Sequence, residues 1–89
     1  MKAVVTVIGK DTVGIIAKVA NLCAEYQANI EDITQSVLRD YFAMIMLVNI
    51  DELGSDFTSF VGALDKLGQE NKLEIRAMHE DIFNAMHTI

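Results

Sequence analysis

The chain has 89 residues, of which 52% are apolar and 22% charged, with no proline or tryptophan. This composition fits one packed domain and excludes an intrinsically disordered chain. Seven basic residues against thirteen acidic ones give a net charge of −6, which opposes nucleic-acid binding because that binding neutralises phosphates with lysine and arginine. No apolar run approaches the ~18 residues of a membrane span. The start of the chain has no signal-peptide pattern, so we expect a cytoplasmic protein that does not bind a membrane.

The first half of the chain predicts a strand, a helix and a second strand. Residues 3–9 are apolar on both alternation phases, which is typical of a central strand. Residues 13–27 carry apolar side chains at helical spacing, and Asp11 or Thr12 is expected to be the N-cap of this helix. Residues 29–39 alternate between apolar and polar side chains, so one face of this strand is polar. The pattern favours a strand at the edge of a sheet.

The second half of the chain repeats this order and adds a tail. Residues 41–50 form the most apolar predicted strand, and the polar residues 51–55 connect it to an amphipathic helix over 56–70. Residues 72–78 alternate again and predict a fourth strand. Residues 80–89 have apolar side chains on one side and predict a short C-terminal helix of about two turns.

The order β-α-β-β-α-β predicts an α+β fold, a ferredoxin-like βαββαβ sandwich. Right-handed crossovers place both main helices on one face of a four-stranded antiparallel sheet. The usual topology then gives the strand order 4-1-3-2, with strands 1 and 3 in the centre. We take residues 1–89 as a single domain, with a core over 3–78 and a helical tail over 80–89.

The third strand offers apolar side chains on both faces, although the two helices cover only one. Leaving such side chains in water costs about 1.5–3 kcal/mol each, and patches of them are seldom left open. We expect the face without helices to carry Phe42, Met44, Met46 and Val48. We expect the tail helix, from the same chain or from a partner, to cover them through Ile82, Phe83 and Met86. The alternative is that this face stays uncovered and is merely less polar than usual.

The loop over residues 9–15 is the first candidate site. It follows strand 1 and opens helix 1, where free backbone N–H groups and the positive end of the helix dipole suit a carboxylate or another small anion. Gly14 lets a ligand approach closely because it has no Cβ, and Lys10 adds a cation. The alternative is that Asp11 caps its own helix and fills the anion site. The loop lacks the Gly-Lys-Ser/Thr ending of a P-loop and the GxGxxG of a dinucleotide-binding turn.

Catalysis finds little support in the remaining residues. His79 and His87 belong to no cluster of histidine, cysteine and carboxylate, and the single Cys23 lies on an apolar helical stripe, so we expect no metal and no cofactor. An acylphosphatase-type enzyme would need an arginine in the phosphate-binding loop, where only Lys10 is present. An RNA-binding module of the RRM type would need aromatic residues on strand 1, which has none.

Three segments resemble the ACT domain: the loop Lys-Asp-Thr-Val-Gly-Ile over 10–15, the helix end Gln-Ala-Asn-Ile over 27–30 and the strand Phe-Ala-Met-Ile-Met-Leu-Val over 42–48. The resemblance covers about residues 3–78. It is closest to small stand-alone bacterial ACT proteins of uncharacterised function, which end in a tail like residues 80–86. The sequence is more distantly similar to the transcriptional repressor of the glycine cleavage system.

The resemblance implies a regulatory module that is not an enzyme, that forms a homodimer and that binds an amino acid or another small molecule between its subunits. Carried over to this chain, the ligand-binding positions are Lys10, Asp11, Thr12, Val13, Gly14 and Ile15, together with Asn29 and Ile30 of the neighbouring subunit. Many family members have proline where this chain has Val13; its absence leaves the loop less fixed. Any regulation is expected to act on a separate protein.

The residues themselves leave two alternatives open. A protein-interaction module of the same fold, without a ligand, fits the sequence as well if the loop is merely a capped helix start. A dimer can form either by pairing of the edge strand 2 with its twin or by stacking of the apolar sheet face. The sequence does not choose between these two geometries.

Overall fold

A computed structural model of the chain describes residues 1–10 and 14–86. The elements, in chain order, are β1 (Lys2–Gly9), α1 (Ile15–Glu25), β2 (Asn29–Leu38), β3 (Tyr41–Asn49), a 3-10 helix (Asp51–Asp56), α2 (Phe57–Asn71), β4 (Glu74–His79) and α3 (Glu80–Met86). The strands form one antiparallel sheet in the order β2-β3-β1-β4. The predicted ferredoxin-like fold, the order 4-1-3-2 and the central positions of β1 and β3 are therefore confirmed.

The core lies between the sheet and the two long helices. Alternate side chains of β1 and β3 point into it, and the register pairs Val5 with Met46 and Val7 with Met44. The helices add Val19 and Cys23 from α1 and Phe60 and Leu64 from α2, all 1% exposed or less. Such burial is worth about 1.5–3 kcal/mol for each large apolar side chain.

The prediction for the two faces of β3 is wrong. The structure buries Phe42, Met44, Met46 and Val48 beneath the helices, each at most 3% exposed. The face without the long helices, which we name the open face, instead carries Ile8, Tyr41 and Ile45, which are 46–50% exposed. Because β3 is apolar on both alternation phases, its periodicity does not indicate which phase meets the helices.

The tail helix covers only part of the open face. In the described residues α3 packs against β1 and β4 of its own chain, and Val4, which shares the open face, is buried at 5% exposure. Phe83 is half-buried, but Ile82 and Met86 are 55% and 65% exposed. The predicted cover through all three side chains is therefore only partly correct, and the open face of β3 stays accessible.

The 3-10 helix between β3 and α2 was not predicted. Its sequence is polar apart from Leu53, which is 5% exposed and belongs to the core. A single buried leucine gives no periodicity that a sequence pattern could reveal. None of the helices in residues 14–86 combines the length and the apolar character that crossing a bilayer requires.

Candidate functional site

The candidate loop begins where β1 ends, at Gly9. Lys10 follows and is exposed, with its Nζ 5.4 Å from the centre of the Tyr41 ring. A cation over an aromatic face is stabilised by about 0.5–1 kcal/mol at an exposed site. Asp11, Thr12 and Val13 lie outside the described residues, so their assignment to a ligand site stays a prediction. We name this end of the sheet, where β1 ends and β3 begins, the loop end.

Gly14 starts α1 with a left-handed backbone. It occupies the N-cap position at φ 75° and ψ −2°, so Gly14, and not Asp11 or Thr12, is the N-cap. A side chain there would cost about 1–2 kcal/mol in backbone strain. Among the described residues no atom lies within 4 Å of the position of a Cβ. From the sequence, Gly14 is expected to let a ligand approach the backbone closely. The structure shows that the left-handed backbone itself requires this glycine.

Ile15 takes part in the core. Its side chain is 4% exposed and packs in the main apolar cluster, so it is not available to a ligand at the helix start. The first hydrogen bond of this turn runs from the Lys18 N–H to the Gly14 carbonyl at 3.0 Å. The first amides of an α-helix have no acceptor within the helix, and the binding of an anion by those of α1 stays a prediction.

Asn29 and Ile30 lie at the opposite end of the sheet. Gly9 pairs with Phe42, but Asn29 pairs with Asn49, seven residues further along β3, which places them roughly 23 Å apart along the strands. Asn29 is exposed beside a shallow cleft of about 440 Å³, and Ile30 packs against the core. One chain therefore does not bring the two groups of predicted site residues together.

β2 lies at an edge of the sheet. Among residues 1–10 and 14–86 it pairs only with β3, and a bulge interrupts the register between Ile30 and Asp32. The two long helices leave even its inner face accessible, since Ile33 and Val37, which pair with buried residues of β3, are 36% and 69% exposed. An unpaired edge with exposed β-branched side chains is a template for pairing with another strand.

Charge differs between the two ends. Four of the seven basic side chains lie toward the loop end: Lys10, Lys18, Arg39 and Lys72. At the opposite end carboxylates predominate, and two of them are in exposed ion pairs. Lys2 Nζ lies 3.0 Å from Glu31 and keeps the pKa of that carboxyl below its ordinary value, and the terminal ammonium does the same for the pKa of Asp51. The molecule is therefore polarised along its strands.

The described residues hold no group of three or more histidine, cysteine and carboxylate side chains arranged for a metal. Cys23 is 1% exposed, and burial raises the pKa of its thiol to about 11, which makes it a poor nucleophile at neutral pH. The His79 Nδ1 accepts a hydrogen bond from the Asp81 N–H at 3.1 Å and so serves the start of α3, the polar helix start that the sequence indicates.

Sequence reasoning missed the cleft at the loop end. Tyr41 and Lys72 line it together with Lys10, although they are far apart in the chain and neither was selected. A faint signal was available, because Lys72 lies two residues after the end of the predicted second helix, where a residue in left-handed conformation commonly ends a helix.

Comparison with other chains supports the resemblance. A family model for the ACT domain matches residues 2–78. A UPF0237 protein of Methanopyrus kandleri is 47% identical over 88 residues, which span 99% of this chain and 98% of that protein. A UPF0237 protein of Listeria innocua is 43% identical over all of both chains. The resemblance to small ACT proteins is confirmed, and the group extends from bacteria to archaea.

Solved structures agree with the fold. An ACT domain protein from Streptococcus pneumoniae is 42% identical, with a TM-score of 0.82 over 98% of both chains. The regulatory subunit of aspartate kinase from Thermus thermophilus is 26% identical, with a TM-score of 0.66 over 86% of this chain and 50% of that one. The fold is shared by a structure described as a candidate glycine cleavage system transcriptional repressor. That chain is 24% identical, with a TM-score of 0.72 over 89% of this chain and 47% of that one. ACT domains are regulatory modules that bind small molecules.

Proposed function

Because this chain belongs to the ACT domain family, we propose that it is a non-enzymatic regulatory module that binds an amino acid as a homodimer. The ligand site comprises the loop over residues 10–15 of one copy and Asn29 and Ile30 of the second copy. The module is the whole chain, with its core over 3–78 and its tail over 80–89. The protein that it regulates is a separate chain.

The observation that carries the proposal is the separation of the two residue groups within one chain. Gly9 and Asn29 pair with opposite ends of β3. A two-fold axis that pairs the free β2 edges of two copies antiparallel reverses one copy relative to the other. The start of β2 in the second copy then lies toward the loop end of the first, so such a dimer would bring the two residue groups to the same end of the sheet.

The charge distribution supports the same geometry. Antiparallel pairing sets the loop end of one copy, with Lys10, Lys18 and Arg39, toward the carboxylate-rich end of the other. Complementary potentials of this kind favour one orientation over its reverse. If two copies stacked instead with their like ends together, their acidic ends would come into contact. Repulsion between the carboxylates opposes that arrangement in a chain of net charge −6.

The amides at the start of α1 and the Asn29 side chain suit an amino acid. Backbone N–H groups at a helix start bind a carboxylate, and the amide of Asn29 offers both a donor and an acceptor for the rest of the ligand. Asn29 is exposed in the single chain, so it is free to meet a ligand held by another copy.

Assembly is tested on the β2 edge by light scattering at micromolar concentration. We expect a dimer, and we expect the double variant Ile33→Lys and Val37→Lys to be monomeric, because inserted charges block edge pairing. Ile82→Lys on α3, also exposed, is the matched control and should remain dimeric. A monomeric parent protein would refute the proposed geometry.

Binding is tested by thermal shift and calorimetry with the twenty standard amino acids. At a hundredfold excess over Kd a ligand adds about 2.7 kcal/mol to the free energy of unfolding. Asn29→Ala should abolish that gain, whereas Asn21→Ala, an exposed asparagine on α1, should leave it intact. A dimer that none of the amino acids stabilises would favour the alternative, a protein-interaction module without a ligand.

A further inference from the structure

The loop end holds a cleft that shares only Lys10 with the proposed site between two chains. The cleft has a volume of about 650 Å³ and lies where the end of β1, the start of β3 and the turn from α2 to β4 meet. Ile8, Leu73 and Tyr41 provide apolar and aromatic walls, and Lys10 and Lys72 add two ammonium groups. We propose that this cleft, complete within one chain, binds a small carboxylate with an apolar body.

The apolar wall of the cleft is fixed by the fold. A Cβ on Gly9 would lie 2.3 Å from Leu73 Cδ2, so the missing side chain of Gly9 makes room for the leucine. The Leu73 N–H donates a hydrogen bond of 2.8 Å to the Gly68 carbonyl, which anchors the turn after α2. Ligand pockets combine such preformed apolar surface with a few fixed polar groups.

The cleft carries two lysine ammonium groups, from Lys10 and Lys72. Within the part of the chain that the structure describes, neither Lys10 nor Lys72 forms an ion pair. Glu74 at the rim pairs instead with Arg76, at 3.5 Å. Two ammonium groups beside apolar walls match a ligand with a carboxylate at one end and an apolar body at the other.

The backbone of Lys72 is the second observation. Lys72 ends α2 in left-handed conformation, at φ 57° and ψ 44°. Glycine, or asparagine, adopts this conformation with less strain. The chain thus carries a lysine at a position whose backbone favours glycine, and this lysine lines the cleft. Residues held in unfavourable conformations concentrate at functional sites.

The lining also limits the class of ligand. The Glu74 side chain, 71% exposed at the rim, repels a second carboxylate, so monocarboxylates are preferred over dicarboxylates. This class includes both apolar α-amino acids and simple branched fatty acids. The two kinds of molecule share an apolar body, which the walls provided by Ile8 and Leu73 recognise. The cleft needs no second chain, which separates it from the proposed function.

The test uses two probes of equal shape, 4-methylpentanoate and the neutral 4-methylpentanamide. Each is titrated into the isotope-labelled protein, and amide chemical shifts are followed. We expect the carboxylate to shift the resonances of Lys10, Tyr41 and residues 72–74, and the amide probe to bind at least tenfold more weakly. Absence of shifts in the cleft, or equal affinity for the two probes, would overturn the proposal.

Lys72→Gly is the decisive variant, because it removes the ammonium group and relaxes the backbone at the same time. We expect the melting temperature to be unchanged or higher and the affinity for 4-methylpentanoate to fall at least fivefold. Lys66→Ala, which removes the same charge from an exposed position of α2, should bind like the parent. Equal affinity in Lys72→Gly would overturn the proposal.

Asn29→Ala separates this cleft from the site of the proposed function. It should not alter binding of 4-methylpentanoate, since Asn29 lies at the other end of the sheet. Loss of binding in Asn29→Ala with unaltered binding in Lys72→Gly would refute the cleft and support the site between two chains. If 4-methylpentanoate binds in the cleft but no amino acid stabilises the protein in a way that depends on Asn29, the cleft is supported and the site between two chains is refuted.

Discussion

The two faces of β3 have similar sequences and different surroundings. Met44 and Met46 are each 1% exposed beneath α1 and α2, whereas Ile45, between them, is 46% exposed. The difference arises from coverage, because two long helices pack on one face, whereas the short α3 packs against β1 and β4 on the other. The covered face holds the fold together. The open face and the free β2 edge remain available for contacts with other molecules.

The sharpest test of this comparison is a pair of adjacent truncations. Met46→Ala should lower the free energy of unfolding by about 2–5 kcal/mol, because it leaves a cavity in the core. Ile45→Ala should lower it by no more than about 1 kcal/mol, since half of that side chain is already in water. Urea denaturation at a protein concentration that holds the oligomeric state fixed measures both. Equal losses would show that the open face is covered in solution.

Two glycines of α2 extend the comparison to a helix. A Cβ on Gly68 would lie 2.7 Å from the Leu73 carbonyl oxygen, so Gly68→Ala should cost about 1–3 kcal/mol through overpacking. A Cβ on Gly62 meets no described atom within 4 Å, and Gly62→Ala should stabilise the protein by about 0.5–1 kcal/mol through helix propensity. Melting temperatures should move in opposite directions, and a shared direction would contradict the assigned helix orientation.

The smallest effect concerns reactivity and not stability. The thiol of Cys23 lies on the covered side, and its raised pKa of about 11 keeps it protonated at pH 8. It should hold about a hundredfold less thiolate than an ordinary cysteine and react with iodoacetamide more slowly still, because the reagent must also wait for local opening. The urea-unfolded chain is the control. Similar rates in the folded and unfolded chains would place Cys23 outside the core.

The candidate site was predictable in part. The position of Gly14 at the start of α1 followed from the break after β1, although the sequence suggested Asp11 or Thr12 as the N-cap, because polar side chains are the usual caps and a glycine with positive φ is less common there. Tyr41 and Lys72 escaped notice because their meeting with Lys10 depends on three elements that are distant in the chain.

The sequence by itself determined the four strands and three α-helices, their order and the central places of β1 and β3, because hydrophobic periodicity and apolarity on both phases depend only on local spacing. Only the tertiary structure decided which face of β3 meets the helices, how far α3 reaches and that Gly9 and Asn29 lie at opposite ends of the sheet. Those outcomes follow from strand direction, register and helix length together, which no single window of the sequence encodes.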